Sequence, residues 1–248
     1  MHIYDSLIQN GYYVGSSYDI FSEEELIKLE NTISNDIKLG YDVQLPDGNH
    51  KWLYRLTASP KPDDPKPYDP SFSNPIPHNQ IEVKRDIVKS KNMVIDQQWY
   101  FTGYSCISGY YDNMSTAREK ITNFIKDIYS ISDPINLHPI NITVYEKGDF
   151  ILPHSDGKNQ NRICALLIYL TSKENYNPNY GGRLYIQPTG VDYDPGKHTM
   201  YDMEVCVEPV RPNYVILDFT QNNVLHAVEI CKQQFNRFAI LTFPTIVK

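Results

Sequence analysis

His154 and Asp156 stand two residues apart in the stretch Ile-Leu-Pro-His-Ser-Asp that ends at position 156. In extended backbone, alternate side chains share a face, so this spacing sends an imidazole and a carboxylate the same way, where both can grip one metal ion. The pair alone is weak evidence, because a chain with 7 histidines and 19 aspartates carries about half an H-x-D match by chance. Its company strengthens it. His226 sits in the apolar run from Leu225 to Ile230, and Arg237 leads directly into Phe238–Phe243, a strand that reads as buried on both faces. A buried arginine needs a partner anion. Two histidines and one carboxylate make the facial set that holds non-haem Fe(II) with three positions open. The planar guanidinium fork of Arg237 suits a dicarboxylate.

These residues need elements to carry them. From Ile140 onward the chain is written in short apolar or alternating runs bounded by turn residues: Ile140–Tyr145, Ile163–Leu170, Arg183–Gln187, Met203–Val207, Tyr214–Phe219, Ala227–Ile230 and Phe238–Phe243. No helical pattern separates them, which favours an antiparallel sandwich or barrel over a parallel sheet. On the first of these strands, alternation places Asn141, Thr143 and Tyr145 on one face and Ile142 and Val144 on the other, a polar face where a liganded cavity would need one. Upstream, Ser22 and Glu25 form a capping box, Phe21 and Leu26 a hydrophobic staple, and the helix they start runs to about Lys38 with Leu26, Leu29, Ile33 and Ile37 on one side. A second helix is expected over Thr116–Ser130, opened by a Thr116/Glu119 box, closed by Asp133-Pro134, and apolar at Ile121, Phe124, Ile125, Ile128 and Tyr129. Between them lie strand-like stretches near Trp52–Leu56 and Trp99–Cys106, and seven prolines from Pro60 to Pro77. That density forbids regular helix or central strand, and a loop of this length reads as a lid or substrate rim.

Composition narrows the function classes. The chain has 248 residues, 23 Lys and Arg against 30 Asp and Glu, a formal charge of −7, 41% hydrophobic content, and an unusual 20 tyrosines and 17 prolines. Such an acidic balance argues against a polyanion clamp, so nucleic acid is not an expected partner. No apolar run is long enough to span a bilayer and the N-terminus carries no secretory pattern, so the expectation is a cytoplasmic protein with no membrane partner. Cys106, Cys164, Cys206 and Cys231 form no C-x-x-C pair and read as reduced packing residues. His2, His50, His78, His138 and His198 lie in loops or beside proline and read as solvated or structural.

Taken together, Tyr145, His154-Ser155-Asp156, Arg162, Tyr169, Gly181-Gly182, His226 and Arg237 resemble the 2-oxoglutarate- and Fe(II)-dependent oxygenases, specifically their prolyl-hydroxylase-like branch. The likeness covers residues 140–244, and its segments follow the family's order and spacing: Tyr-Glu-Lys-Gly, His-Ser-Asp, Leu-Leu-Ile-Tyr-Leu-Thr, Gly-Gly-Arg-Leu-Tyr-Ile, Leu-His-Ala and Arg-Phe-Ala-Ile-Leu-Thr-Phe. The resemblance implies a double-stranded β-helix, or jelly-roll, core with helices packed on its outside, in one domain over 1–248 whose N-terminal part is 1–139. It implies that His154, Asp156 and His226 ligate Fe(II), that Arg237 binds the distal carboxylate of 2-oxoglutarate, and that Tyr169 and Tyr145 hydrogen-bond this co-substrate. By the same likeness Gly181-Gly182 makes the tight turn into the next strand, O2 is consumed, and ascorbate serves as an auxiliary reductant.

The implied activity is hydroxylation of a C–H bond with release of succinate and CO2, the expected substrate being a prolyl residue in a protein or peptide. Arg162 and Arg183 are the available cations for a substrate carboxylate; Arg162, in a polar loop, reads equally well as a surface residue, and Tyr169 as a core tyrosine. Departures sharpen the likeness. Secreted collagen-type prolyl hydroxylases carry lysine where Arg237 falls, so the chain looks more like intracellular oxygen-sensing and ribosomal-protein-modifying members. Nucleic-acid demethylases of the superfamily repeat an arginine where this chain has Phe243, and halogenases replace the carboxylate that Asp156 supplies. Where the family often has glycine before the strand leading to the distal histidine, this chain has Pro212-Asn213, with Asn213 suited to a left-handed turn. Two other readings stand beside this one: an oxygenase acting on a small molecule such as a free amino acid, and a non-enzymatic metal-binding jelly-roll module.

Overall fold

Apolar residues at a period of two between residues 140 and 243 must bury one or both faces of extended backbone, and the chain does so by pairing every long strand antiparallel. The computed structural model describes residues 2–38, 52–58, 100–107, 114–137, 140–156, 162–190, 197–221, 224–235 and 237–247. The Pro60–Pro77 tract and His50, His78 and His138 lie outside them. The strands are β1 (Tyr12–Ser16), β2 (Leu53–Ala58), β3 (Tyr100–Ile107), β4 (Ile135–Asn136), β5 (Ile140–Tyr145), β6 (Ile151–His154), β7 (Cys164–Tyr169), β8 (Leu184–Gln187), β9 (Val205–Val207), β10 (Asn213–Asp218), β11 (Leu225–Val228), β12 (Arg237–Thr242) and β13 (Thr245–Ile246). The helices are α1 (Ile3–Asn10), α2 (Glu23–Lys38) and α3 (Met114–Tyr129).

Hydrogen-bonded neighbours run β1-β10-β7-β12-β5-β3 and then β6-β11-β8-β9, with β2 on β3. The link between the two halves is narrow, a single Phe101–Ile151 register between β3 and β6. There the sheet folds over, and side chains from both halves meet: Ala165, Val215, Leu217 and Ala239 from the larger half share one cluster with Leu184, Ile186 and Val228 from the smaller. This is the double-stranded β-helix expected of the sequence. β4 and β13 form a separate two-stranded ribbon.

The opposite face of the larger half is covered by the helices. Ile140, Ile142, Val144, Leu166, Ile168, Ile216, Phe238 and Ile240 pack with Leu26, Leu29 and Ile33 of α2 and Ala117, Ile121 and Ile125 of α3. The Ser22 backbone N–H donates to Glu25 at 2.8 Å and the Glu25 N–H donates to the Ser22 hydroxyl at 3.3 Å, the reciprocal bonds of a capping box. Glu30, on α2, accepts from the Ser172 backbone N–H at 3.1 Å and pairs with Arg211 at 3.0 Å, which fixes the helix over the turn before β10.

Several boundaries differ from the sequence reading. α3 begins at Met114, so Thr116 lies inside its first turn and is not its cap. The helix ends where expected, at Ser130, but through that residue's φ of 51° and the Ile131 N–H donating to the Lys126 carbonyl at 3.0 Å, ahead of Asp133-Pro134. α1, which has no side-chain N-cap and ends at the left-handed Gly11, and β1, which shows no alternation, are additions to the expected elements. Asn213 is not left-handed. The turn passes through a cis Arg211–Pro212 peptide, and Asn213 is held by its backbone N–H to the Val210 carbonyl and its side chain to the Glu208 carbonyl. Cys164 and Cys231 are buried as expected, but Cys206 is exposed on the edge strand β9. Among the described residues no helix is long and apolar enough to cross a membrane.

Candidate metal and co-substrate site

The site lies between the two halves of the sheet, in a cavity of about 430 Å³, within the ~300–1,000 Å³ span of small-molecule sites. β6 and β11 are adjacent antiparallel strands on which His154 and His226 are direct partners. Both rings therefore leave the same face, with centroids 4.3 Å apart. One irregularity makes this possible. Ile151 opposes Val228 three residues from His154 but only two from His226, so β6 carries one extra residue between them. A spacing of three would turn Ile151 and His154 to opposite faces; the bulge restores the parity, and both line the cavity. Pro153 lies within this irregular stretch, where a residue without an N–H is tolerated.

Asp156 follows the end of β6 and brings its two carboxylate oxygens to 3.7 Å from His154 Nε2 and 3.6 Å from His226 Nε2. One donor atom from each residue lies within 4.8 Å of the others. Adjacent donors around a six-coordinate ion with bonds of ~2.1 Å are about 3 Å apart, so small side-chain rotations bring the set onto an ion. The chemistry of the donors fits as well. His226 Nδ1 lies 3.3 Å from the Val224 carbonyl, which favours the proton on Nδ1 and leaves the Nε2 lone pair toward Asp156. Desolvation, reinforced by His154, lowers the His226 pKa to about 4, so the ring is neutral across ordinary pH. Burial raises the Asp156 carboxyl, yet His154, His226 and Arg162 outweigh it, and the group ends below the usual carboxylate value. Two imidazoles and one carboxylate with open space before them can hold a divalent ion.

Arg237 stands at another wall of the same cavity, opposite Tyr145 in the β12–β5 register. It is 1% exposed. Its Nε donates to the Gly182 carbonyl at 2.7 Å and its Nη2 to the Tyr169 hydroxyl at 3.3 Å, while the guanidinium carbon lies 4.6 Å from the Tyr145 ring centroid and 5.1 Å from that of Tyr169. Among the described residues no carboxylate pairs with it. Burial raises the hydroxyl pKa of both tyrosines, against the lowering effect of Arg237, so each is a neutral donor. Gly182 owes its place to backbone shape: its φ is 74°, and a Cβ there would lie 3.0 Å from Phe235 and 3.2 Å from Arg237 Cδ. A backbone carbonyl that orients the arginine leaves no mark in side-chain chemistry, which is why the sequence reading assigned the glycine to a turn alone.

The structure thus brings His154, Asp156, His226, Arg237, Tyr145 and the neighbourhood of Tyr169 around one cavity. Arg162 lies at its margin, its guanidinium carbon 4.3 Å from the centroid of Phe243, a lining residue. Arg183 does not line the cavity. It is held by Glu229, Nε to carboxylate at 2.7 Å and Nη2 at 3.1 Å, and stands 5.6 Å from the Tyr185 ring, while its neighbour Leu184 points inward. The apolar lining of Ile151, Ala165, Leu167, Leu184, Val228, Leu241 and Phe243 was not singled out in the sequence, because those residues are indistinguishable there from ordinary core.

The rolled antiparallel sheet of a double-stranded β-helix thus carries two histidines and an aspartate at one wall of its cavity and a buried arginine at another. Residues 140–244, the β core of the chain, match the model of the 2OG-Fe(II) oxygenase superfamily. The family uses Fe(II), 2-oxoglutarate and O2. No curated protein matches the chain significantly. Among solved structures, similarity extends to a prolyl hydroxylase from Trichoplax adhaerens in complex with a hypoxia-inducible factor oxygen-degradation-domain peptide, at 13% identity over 98% of this chain and 87% of that one, with a TM-score of 0.55. A Pseudomonas putida prolyl-4-hydroxylase is similar at 13% identity, 99% and 98% coverage and a TM-score of 0.51. The non-heme alpha-ketoglutarate-dependent epimerase SnoN from nogalamycin biosynthesis is similar at 10% identity, 98% and 79% coverage and a TM-score of 0.53. At such identities the likeness is one of fold.

Proposed function

We propose that the protein is an Fe(II)- and 2-oxoglutarate-dependent oxygenase that hydroxylates a prolyl residue of a protein or peptide. The observation that carries the oxygenase reading is Arg237: a buried cation facing the same cavity as the His154, Asp156 and His226 donors, with two neutral hydrogen-bond partners and no counter-ion among the described residues. A permanent charge is kept out of water only at a cost, and an anionic ligand arriving with its own carboxylate offsets it.

In this reading His154 Nε2, His226 Nε2 and the Asp156 carboxylate hold the iron on one side. The metal supplies the activation of O2 that couples oxidative decarboxylation of 2-oxoglutarate, to succinate and CO2, with insertion of one oxygen atom into a substrate C–H bond. The chain does the rest. Arg237 fixes the distal carboxylate with its planar fork, and Gly182 and Tyr169 set the plane of that fork. The Tyr145 ring, beneath the guanidinium, holds it toward the cavity. The apolar walls exclude water from the reacting centre.

The prolyl assignment is supported by the branch of the family that the sequence resembles and by the prolyl hydroxylases among the proteins of like fold. It also fits a cavity whose innermost cation is committed to the co-substrate. A small-molecule acid is the second reading, favoured by one observation, the Arg162 guanidinium presented on Phe243 at the margin. Mass spectrometry of proline-containing peptides and of a metabolite pool, each incubated with protein, Fe(II), ascorbate and 2-oxoglutarate, separates the two. A gain of one oxygen on free metabolites with none on any peptide removes the prolyl assignment. Thermal unfolding with Mn(II) tests the third, non-enzymatic reading, which gives no reason for 2-oxoglutarate to raise the Tm.

A further inference from the structure

Four side-chain atoms among the described residues are buried without any hydrogen-bond partner: Ser17 Oγ, Asn141 Oδ1, Arg211 Nη1 and Tyr214 OH. Asn141 differs from the other three in where it points. On β5 the side chains of Ile140, Ile142 and Val144 pack into the helix-side core, so those of Asn141, Thr143 and Tyr145 face the other way. Thr143 and Tyr145 line the cavity, as does Leu241, the direct partner of Asn141 on β12. Asn141 is 7% exposed. Thr143 on the same face has satisfied its hydroxyl at the Ala239 carbonyl, whereas the Asn141 carboxamide oxygen, buried on that face just behind the cavity lining, has nothing from which to accept.

The position along the strand gives this orphan a meaning. Arg237 pairs with Tyr145, Ala239 with Thr143 and Leu241 with Asn141. Asn141 therefore stands two rungs beyond the co-substrate's arginine, at a rise of ~3.3 Å per residue about 13 Å along the strand. A five-carbon dicarboxylate anchored at Arg237 and reaching the metal does not extend that far. Phe243, two residues past Leu241, and the Arg162 guanidinium stacked on it lie toward the same end. That end is left for the substrate.

We propose that Asn141 is a substrate-positioning residue whose carboxamide oxygen accepts a hydrogen bond from an N–H of the bound substrate, a backbone amide where the substrate is a peptide. The inference rests on the oxygenase reading and deepens it. An aliphatic side chain of the same size would satisfy the fold better, because a buried acceptor without a partner is destabilising until a donor arrives. A substrate N–H is that donor. Specificity follows, since a substrate lacking the N–H leaves the acceptor unpaired in the complex as well.

The test uses the full chain loaded with Zn(II) as a diamagnetic substitute and with 2-oxoglutarate, observed by nitrogen–proton correlation spectroscopy. The Asn141 side-chain amide resonance is identified by its loss in Asn141→Leu. Titration with the capped peptide acetyl-Ala-Pro-Ala-amide should move that resonance, and the fully N-methylated peptide should not. Asn141→Leu should melt at or above the wild-type Tm and bind the unmethylated peptide about tenfold or more weakly. The proposal is overturned if the peptide shifts Thr143 and Leu241 but not Asn141, or if Asn141→Leu binds it with unchanged affinity. The oxygenase reading is scored separately, by whether 2-oxoglutarate shifts Tyr145 and Tyr169 in the wild type. If the peptide moves nothing while prolinamide moves the Asn141 resonance, the positioning role stands and the peptidyl assignment falls. If neither donor moves it, the role falls.

Discussion

Replacing Arg237 by Met removes the guanidinium while keeping most of the side-chain volume, and it separates the binding of 2-oxoglutarate from the stability of the fold. In the wild type the charge is buried, 1% exposed, and its partners are a carbonyl and a phenol rather than an anion. Losing a desolvated charge pair to a carboxylate costs ~2–5 kcal/mol, a factor of about 30 to several thousand in Kd. The fold should suffer little. The Gly182 carbonyl and Tyr169 hydroxyl lose a donor, but an unpaired buried charge disappears with it, and swaps that conserve volume usually cost under ~1.5 kcal/mol. Calorimetry of 2-oxoglutarate binding to the Mn(II)-loaded protein reads the first effect and thermal unfolding without ligand reads the second. The two should diverge: Kd weakened at least about 30-fold, Tm nearly unchanged. Tyr169→Phe should weaken binding by only ~1–2 kcal/mol, one neutral hydrogen bond lost. An unchanged Kd in Arg237→Met would remove the residue from the co-substrate site. A collapsed Tm would show that the guanidinium is a structural strut, and the argument from its missing counter-ion would fail.

His154→Ala, Asp156→Ala and His226→Ala should each keep a cooperative melt and lose 2-oxoglutarate turnover, since each removes one of three proposed donors at a cavity wall; robust turnover in any one of them contradicts the metal site. Gly182→Ala should lower the Tm and also weaken 2-oxoglutarate binding in calorimetry, because φ of 74° costs a non-glycine residue of order 1–3 kcal/mol and the new Cβ would press on Arg237 Cδ. Glu229, whose buried carboxylate joins Arg183 and Lys232, gives a pH signature. Burial raises its pKa, but the two cations outweigh that and hold it below 4.5, so its stabilising effect is present above that pH and lost as pH falls through the folded value. The stability gap between wild type and Glu229→Gln, read from unfolding at each pH, should therefore be widest near neutrality, ~1 kcal/mol with such solvent-reached partners, and close in acid. A gap independent of pH would show that the ion pair contributes nothing beyond packing.

The strands after Ile140 were legible because each buries a face and so repeats at two, and the proposed metal donors stood out because histidines interrupt that repeat with residues that strands do not otherwise bury. Arg237 was readable for the same reason: a charge at the head of Phe238–Phe243 has no bland use. What escaped depends on geometry that no side chain announces. The bulge that brings Ile151 and His154 to one face is a matter of backbone count, visible only once β11 is laid against β6. The carbonyls that orient the site, Val224 on His226 and Gly182 on Arg237, belong to every residue type alike. Arg183 looked as available as Arg162 until strand parity turned it outward to Glu229, a carboxylate 46 residues away in the chain. The end of α3 at Ser130 was legible, but its device was not, because a left-handed serine carries no signal comparable to the proline that follows it.

The two halves of the sheet divide the site between them, and this division decides what a mutation can report. The smaller half brings His154 and His226 on β6 and β11, and the larger half brings Arg237, Tyr169, Tyr145 and Asn141 on β12, β7 and β5. Among the described residues the halves share ladder hydrogen bonds only at the β3–β6 register, with Arg237 Nε bonded across to the Gly182 carbonyl, so their relative placement rests largely on the side chains packed between them, Leu184, Ile186 and Val228 against Ala165, Val215, Leu217 and Ala239. Such a layer resists compression but transmits strain. Enlarging Ala239 to Val is therefore expected to disturb the site without touching a donor: the metal ligands stay together on one half, the arginine on the other, and the distance between them shifts. Mn(II) affinity should hold while the Kd of 2-oxoglutarate in the Mn(II)-loaded protein rises, because the dicarboxylate alone must bridge both halves. Equal weakening of the two affinities in Ala239→Val, measured by calorimetry, would mean that the metal donors also depend on the packing between the sheets, and the division of the site would be wrong.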